Sequence, residues 1–541
     1  MKTKMKMMLP LLALASMQTK AQDVKESVQP LSKSATKGYV YDVKKEEGGN
    51  TTVTYRIPGD KKSPTITYQE YAFDAGLKFV GDKNIDVPKE THEPRERTTY
   101  YATVGGSNSF NVTSMKLKLN KDVAKEVWSQ ESQRYIVEKY ISSETIKAKN
   151  DNQRVYNGYA SYTSEDITKS DVFAIAKIES KEKAKADTYY ILHFNDKLEI
   201  SEKAVDISGS YSLVYCTQLT NENVVMVFAP NKKAADVTKY VYLEYDIAGN
   251  LKNKTEFKSP ASALLITSSF ENNGNVYLCG SSMKSADAYA EVFSEYAPII
   301  SPGATYGNNI MDMRWINASE KKMENFHLLK FNGDKMIFAS TTHIADFKSK
   351  YKKSPNGKSS DPYKGRKFYI EKFYVTADED YLIAGQLTAN VNMGNGNSVK
   401  SYEDIVCLHF DKNGILKAQY GVNKMNDDKK SEIFEMKQNF LLSGDGKSLY
   451  WEILEVKGDK GYAGFWDAYN DRPTFYAQYF PRIGKIDLAG SSLSDFKVMG
   501  DGKYFLRKDF TSTFDKNDKS ITYFGHDEDW KKLWVGKVNL Q

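Results

Sequence analysis

One hairpin pattern recurs along almost the whole chain, and it constrains the fold more than any other feature. An alternating apolar strand ends in an aromatic or aliphatic residue, then come Asp or Asn, a short turn and another apolar residue. Copies read YAFDAGL (71–77), LKLNKDV (117–123), LHFNDKL (192–198), LEYDIAGNL (243–251), LKFNGDKM (329–336), LHFDKNGIL (408–416) and GKIDLAGSSL (484–493), with a truncated GKVNL at 536–540. Alternation with period two places one set of side chains on each face of a strand. The Asp or Asn accepts hydrogen bonds from the backbone that follows it, and a Gly supplies positive φ where one occurs. Each copy therefore predicts a strand, a tight turn and a returning strand.

The residue before the Asp or Asn falls at Phe73, Leu119, Phe194, Tyr245, Phe331, Phe410, Ile486 and Val538, at intervals of 46, 75, 51, 86, 79, 76 and 52 residues. The shorter intervals suit one four-stranded unit of ~40–50 residues, and the longer ones leave room for insertions. A second pattern, apolar run, polar turn, apolar run, precedes several copies, as in FYVTADEDYLIAGQL (373–387) and FLLSGDGKSLYWEIL (440–454). Together the two patterns make about four strands, which cannot bury both faces unless neighbouring units pack on them. The expectation is an all-β chain, a β-propeller of six to eight four-stranded blades with seven the best count. Tandem β-sandwiches are the alternative. The GKVNL copy is expected to pair with an N-terminal strand and close the ring. No Gly-His…Trp-Asp signature occurs, so the chain resembles divergent β-propellers as a class.

The first residues read as an export leader: Lys2, Lys4 and Lys6, an apolar run from Met7 to Met17, and small residues before a cleavage point ahead of Gln22. This divides the chain into a signal peptide (1–21), a polar and flexible segment (22–37) and a propeller (38–541). The run is shorter than the ~20 residues a membrane-spanning helix needs, and no other segment reaches that length, so no transmembrane segment is expected in the mature chain. A leader ending in Ala-Gln resembles those of Bacteroidota envelope proteins, which implies a periplasmic or outer-membrane-associated product. No Cys follows the cleavage point to carry a lipid. Cys216, Cys279 and Cys407 lie in apolar runs without a CxxC pair, and read as buried thiols. With 76 basic and 70 acidic residues the chain shows a mixed surface rather than a nucleic-acid-binding one.

Two stretches depart from the repeat. Within 283–325, Tyr289, Val292, Phe293 and Tyr296 fall at i, i+3, i+4 and i+7, predicting an amphipathic helix of about three turns. Residues 342–367 carry Lys348, Lys350, Lys352, Lys353, Lys358, Lys364, Arg366 and Lys367 among Ser, Pro and Gly, predicting a long mobile loop. Its Tyr351 and Tyr363 are suited to stack on sugars or to seat an anion such as lipopolysaccharide.

Nothing in the sequence fixes a reaction. There is no HExxH, GxSxG, P-loop or dinucleotide fingerprint, so no catalytic residue, metal ligand or cofactor is assigned. His193 and His409 share one place in the repeat and are expected on the polar, outer side of their strands. His526-Asp527-Glu528-Asp529 is the one dense acid and histidine cluster, and reads as a turn. The leading expectation is a non-catalytic binding or scaffold component of the cell envelope, an accessory of an outer-membrane transport or secretion complex. Its partner would dock on Tyr289, Phe293, Tyr296, Lys348, Lys350, Lys352, Lys353, Arg366 and Lys367. The alternative is a polysaccharide-binding or polysaccharide-degrading protein with its site at the propeller's channel mouth.

Overall fold

A computed structural model describes residues 24–46, 48–60, 62–89, 96–105, 118–129, 134–147, 157–163, 172–178, 188–194, 200–207, 211–230, 234–283, 299–300, 322–355, 360–394, 397–425, 433–461, 474–506, 512–515 and 519–540. The expected signal peptide and the stretch with Tyr289, Phe293 and Tyr296, predicted as a helix, lie outside these residues. What is described is all-β, broken only by one short α-helix, Ile344–Ser349, and two 3-10 turns. The strands form seven sheets, five of them of four or five strands with their long strands in chain order.

In six of its eight copies the sequence motif ends the third strand of its sheet and starts the turn to the fourth, as at Thr65–Phe73, Lys239–Tyr245 and Asn397–Phe410. The expected turn at 117–123 is instead the start of the strand Lys118–Ser129, and the last copy takes its fourth strand from the N-terminus. Asp411 Oδ1 accepts from the amides of Asn413 (2.9 Å) and Ile415 (2.8 Å), while Gly414 takes φ 75°. Asp246 and Gly249 repeat this arrangement. Asp74 does so with Leu77 at φ 64°, a strained position for a side chain, offset by burial of Leu77 in the core.

Most apolar clusters lie between successive sheets, and one, with Ile483, Tyr523 and Trp534, lies within the largest sheet. Leu382, Cys407 and Tyr420 pack on Trp451 and Ile486 of the next sheet, and Tyr277 and Leu328 pack on Tyr381 and Phe410. Val53, Tyr71 and Phe73 of the first sheet pack on Phe524, Leu533 and Val535 near the C-terminus. The sheets of 265–343 and 368–422 each carry such a cluster on both faces. The first strands Tyr211–Gln218, Leu265–Asn272, Phe368–Val375 and Lys437–Leu442 also touch in succession.

The largest sheet has ten strands and joins two meanders through the single pair Tyr479 and Leu506. Its outer edge is Val24–Pro30, antiparallel to Lys532–Asn539 from Val24↔Val538 to Pro30↔Lys532. Residues 24–30, read from their polarity as flexible, are therefore a fourth strand for the truncated last motif. Charged and polar side chains mark them as an edge strand, whose one exposed face tolerates them.

His409 also departs from expectation. It is fully buried, not at the surface, because the neighbouring sheet covers the face its strand would otherwise show to water. Cys216, Cys279 and Cys407 are buried and unbridged, as their runs implied.

Candidate functional site

Residues 342–367 are not a mobile loop where they are described. Ile344–Ser349 is a helical turn with Phe347 fully buried against Phe326, Tyr363 and Phe410, at ring separations of 6.1, 5.5 and 6.5 Å. Tyr351–Lys353 then adds a parallel strand to Leu416–Val422. The basic composition concealed this, since the aromatic anchors Phe347, Tyr351 and Tyr363 are few among the lysines. Tyr363 is 5% exposed and the Tyr351 hydroxyl donates to the Ser360 carbonyl at 2.7 Å, so neither ring is presented to a sugar. Lys348, Lys352 and Lys353 remain exposed on this framework, whereas Lys350 donates to the Leu416 carbonyl.

Arg366 and Lys367 stand apart from those lysines. They line a shallow recess between the sheets of 265–343 and 368–422, about 370 Å3 counted out to open solvent. Leu265, Met323, Phe326, Phe368 and Ile370 form its apolar wall, with Thr267, Ser281 and Tyr363 adding hydroxyls. Two left-handed residues shape its rim, Gly365 (φ 81°) and Lys367 (φ 57°). A Cβ at Gly365 would lie 2.2 Å from the Met323 carbonyl oxygen, so only glycine fits there.

The same first strand shows different chemistry on its other side. A bulge between Ile370 and Lys372 leaves Glu371 as the extra residue, and the equivalent bulges of three other first strands hold Tyr41, Val214 and Thr267. Bulges re-aim side chains. Here Glu371 accepts the Gln438 amide at 3.0 Å while Gln386 accepts the Met436 amide at 2.7 Å, together tying down the entry to the next sheet. Burial raises the Glu371 pKa to about 7, against the lowering pull of Lys437. Burial also acts to raise Glu435, but hydrogen bonds from Lys437 and Tyr369 outweigh it and hold that carboxylate low. Lys400 sits over the Tyr369 ring at 4.2 Å.

The remaining buried charges are also engaged. His409 Nε2 lies 2.8 Å from Asp380, which also meets Lys417 at 2.8 Å, and His409 Nδ1 lies 3.0 Å from the Tyr420 hydroxyl. Burial lowers the histidine pKa, and a neutral ring donating from Nε2 accepts the Tyr420 proton at Nδ1. Glu452 accepts from Tyr523 (2.7 Å) and Asn439 (2.9 Å), and Glu455 pairs with Arg482 at 2.5 Å. Asp527 closes its turn by accepting the amides of Lys531 and Lys532, while His526 contacts Tyr55 at 2.5 Å. Among the described residues, no three His, Cys, Asp or Glu groups gather as a metal site. No helix there is long and apolar enough to cross a membrane.

No family model matches the chain, and no curated protein does. Solved structures similar to it include a Mycobacterium tuberculosis puromycin-hydrolyzing peptidase, at 6% identity and TM-score 0.24 over 78% of this chain. The chain spans 59% of that peptidase's length. A Fusarium graminearum GH93 α-L-arabinofuranosidase matches at 10% identity and TM-score 0.23, covering 70% of this chain and 91% of its own. A Synechocystis apocarotenoid oxygenase matches at 8% and 0.25, covering 89% and 94%. Likenesses this faint carry no argument about activity.

Sequence reasoning singled out Arg366 and Lys367 but not the recess behind them, nor Glu371, and it placed the buried His409 on the outer side of its strand. The usable signal was Gly365 immediately before two cations and a returning strand.

Proposed function

We propose that the protein is an exported β-propeller acting as a non-catalytic binding component of a Bacteroidota-type cell envelope, an accessory of an outer-membrane transport or secretion complex. The observation that carries this reading is the anchored cationic face of Lys348, Lys352 and Lys353. Phe347 fixes its helix and parallel pairing fixes its strand, so binding an anionic partner surface costs little further ordering. The buried carboxylates Glu371, Glu452 and Glu455 each hold neighbouring amides or side chains, a structural use that supports the non-catalytic reading. The ring is supported by sheet-on-sheet cores that link the first sheet to the last, and by the pairing of the first and last described strands. Counting the ten-stranded sheet as two meanders, the described strands form eight groups, each with one copy of the motif, which supports a ring of eight blades.

The test is charge reversal of Lys348, Lys352 and Lys353 to Glu, with cross-linking in native envelope fractions. Loss of the wild-type cross-linked partner at an unchanged melting midpoint supports the reading, and unchanged cross-linking sinks it.

One observation favours polysaccharide binding at the channel mouth as a second reading. Tyr39 and Tyr41 on a first strand are 40% and 39% exposed, and Tyr39 is braced by Arg56 at 3.0 Å. A glycan array that retains no saccharide would remove it.

A further inference from the structure

The recess at Gly365–Lys367 presents two cations whose positions are fixed before any ligand arrives. The Gly365 carbonyl accepts the Met323 amide at 2.9 Å and the Lys367 carbonyl accepts the Thr388 amide at 2.7 Å, so the backbone is pinned on both sides of Arg366. Among the described residues neither Arg366 nor Lys367 has an acidic partner, whereas nearby Lys364 pairs with Asp361. Among the described residues no carboxylate lines the recess. Lys367 occupies a left-handed conformation that a long side chain adopts at a cost, and such outliers concentrate at binding sites. Thr267 projects from the bulge of its strand, the position where the neighbouring sheet carries Glu371, and lines the recess with a neutral hydroxyl. The contact of that hydroxyl to the Cys279 carbonyl is long at 3.5 Å and can be exchanged for a ligand oxygen. Ser281 meets the Tyr363 hydroxyl, and both lie along the recess. The apolar wall of Phe326, Phe368 and Ile370 lowers the local dielectric, which strengthens any charge-assisted hydrogen bond formed there.

We propose that this recess binds a small oxyanion, the carboxylate, sulfate or phosphate group of an acidic ligand, between Arg366, Lys367 and the hydroxyls of Thr267 and Ser281. Arg366 supplies the planar fork that suits two oxygens at once, and Lys367 a point charge beside it. The site does not depend on the lysine face of the preceding section, whose substitutions leave these four residues intact, so either proposal can fail alone.

The experiment is isothermal titration of the full chain with sodium acetate, sulfate and phosphate at constant ionic strength set by chloride. Saturable binding of at least one oxyanion is expected, and the relative affinities of the three name the group the site prefers. Arg366→Gln and Lys367→Gln should each weaken that binding about ten-fold, the loss of roughly one charge-assisted hydrogen bond. Thr267→Val should weaken it by less, and Lys353→Gln, outside the recess, should bind as the wild type does. Unchanged melting midpoints show that the variants are folded, and should Arg366→Gln unfold, Lys367→Gln and Thr267→Val carry the test. Saturation by none of the three oxyanions overturns the proposal. So does wild-type affinity in the folded Arg366 and Lys367 variants.

Discussion

Asp411 shows how a single side chain sets a turn, and how such a residue can be read in advance. Its carboxylate takes two amides within four residues of itself, so all the chemistry is local and visible as Asp-Lys-Asn-Gly. Asp411→Ala should lower stability by about 1 kcal/mol, the usual net worth of such bonds. A chemical-denaturation midpoint that does not move would show the turn to be held by Gly414 alone. Glu371 is the opposite case, since its burial and its amide partner both come from another sheet. Its folded pKa, raised to about 7 from 4.5, means the fold favours the protonated form. The stability this confers is complete below about pH 4.5 and is lost as pH rises through about 7. Glu371→Gln keeps an acceptor for the Gln438 amide and removes the titration. Unfolding midpoints measured between pH 4.5 and 7.5 should therefore flatten in the variant, and an identical pH slope in both proteins would refute the assignment. His409 was misplaced for the same reason: alternation identifies two faces of a strand but not whether a second sheet covers the polar one.

At the scale of elements, local patterning reads the meanders well and the segment 344–353 poorly. Strands with Asp-Gly turns declare themselves within a few residues, whereas the helical turn at Ile344–Ser349 is shorter than any periodicity test can detect. Its order rests on tertiary contacts, chiefly the burial of Phe347. Phe347→Ala should accordingly cost about 3 kcal/mol through the cavity it leaves, and free the lysines around it. Limited trypsin digestion checks this: cleavage after Lys348, Lys350, Lys352 or Lys353 should become fast in the variant while the rest of the chain stays resistant. Equal protection in both proteins would mean that strand pairing at Tyr351–Lys353 holds the segment without Phe347. The bulges of the first strands escaped sequence reading altogether. Tyr41, Val214, Thr267 and Glu371 have no residue type in common, so only the backbone register reveals their equivalence.

At the scale of the whole molecule, the pairing of Val24–Pro30 with Lys532–Asn539 joins the two ends of the described chain in one sheet. The short GKVNL copy made that pairing legible at its C-terminal end, where a third strand lacked a fourth. The N-terminal partner was hidden because an edge strand carrying Lys25, Glu26 and Gln29 looks like any polar tail. Glu26 does more than stay soluble: it accepts from the Gly500 amide at 3.1 Å and from the Trp534 indole at 3.4 Å, so the strand also holds the turn beside a buried tryptophan. Removing residues 24–30 therefore deletes a ladder of seven paired positions as well as the two Glu26 bonds. The loss should be on the order of 3–5 kcal/mol, and should expose the edge of Lys532–Asn539 to pairing with other chains. Denaturation of the truncated protein should show that loss, and the peptide VKESVQP added in trans should recover part of it by refilling the edge. A truncated protein with the full-length midpoint would mean that the N-terminal strand lies outside the cooperative unit, and that the last sheet is complete with three strands.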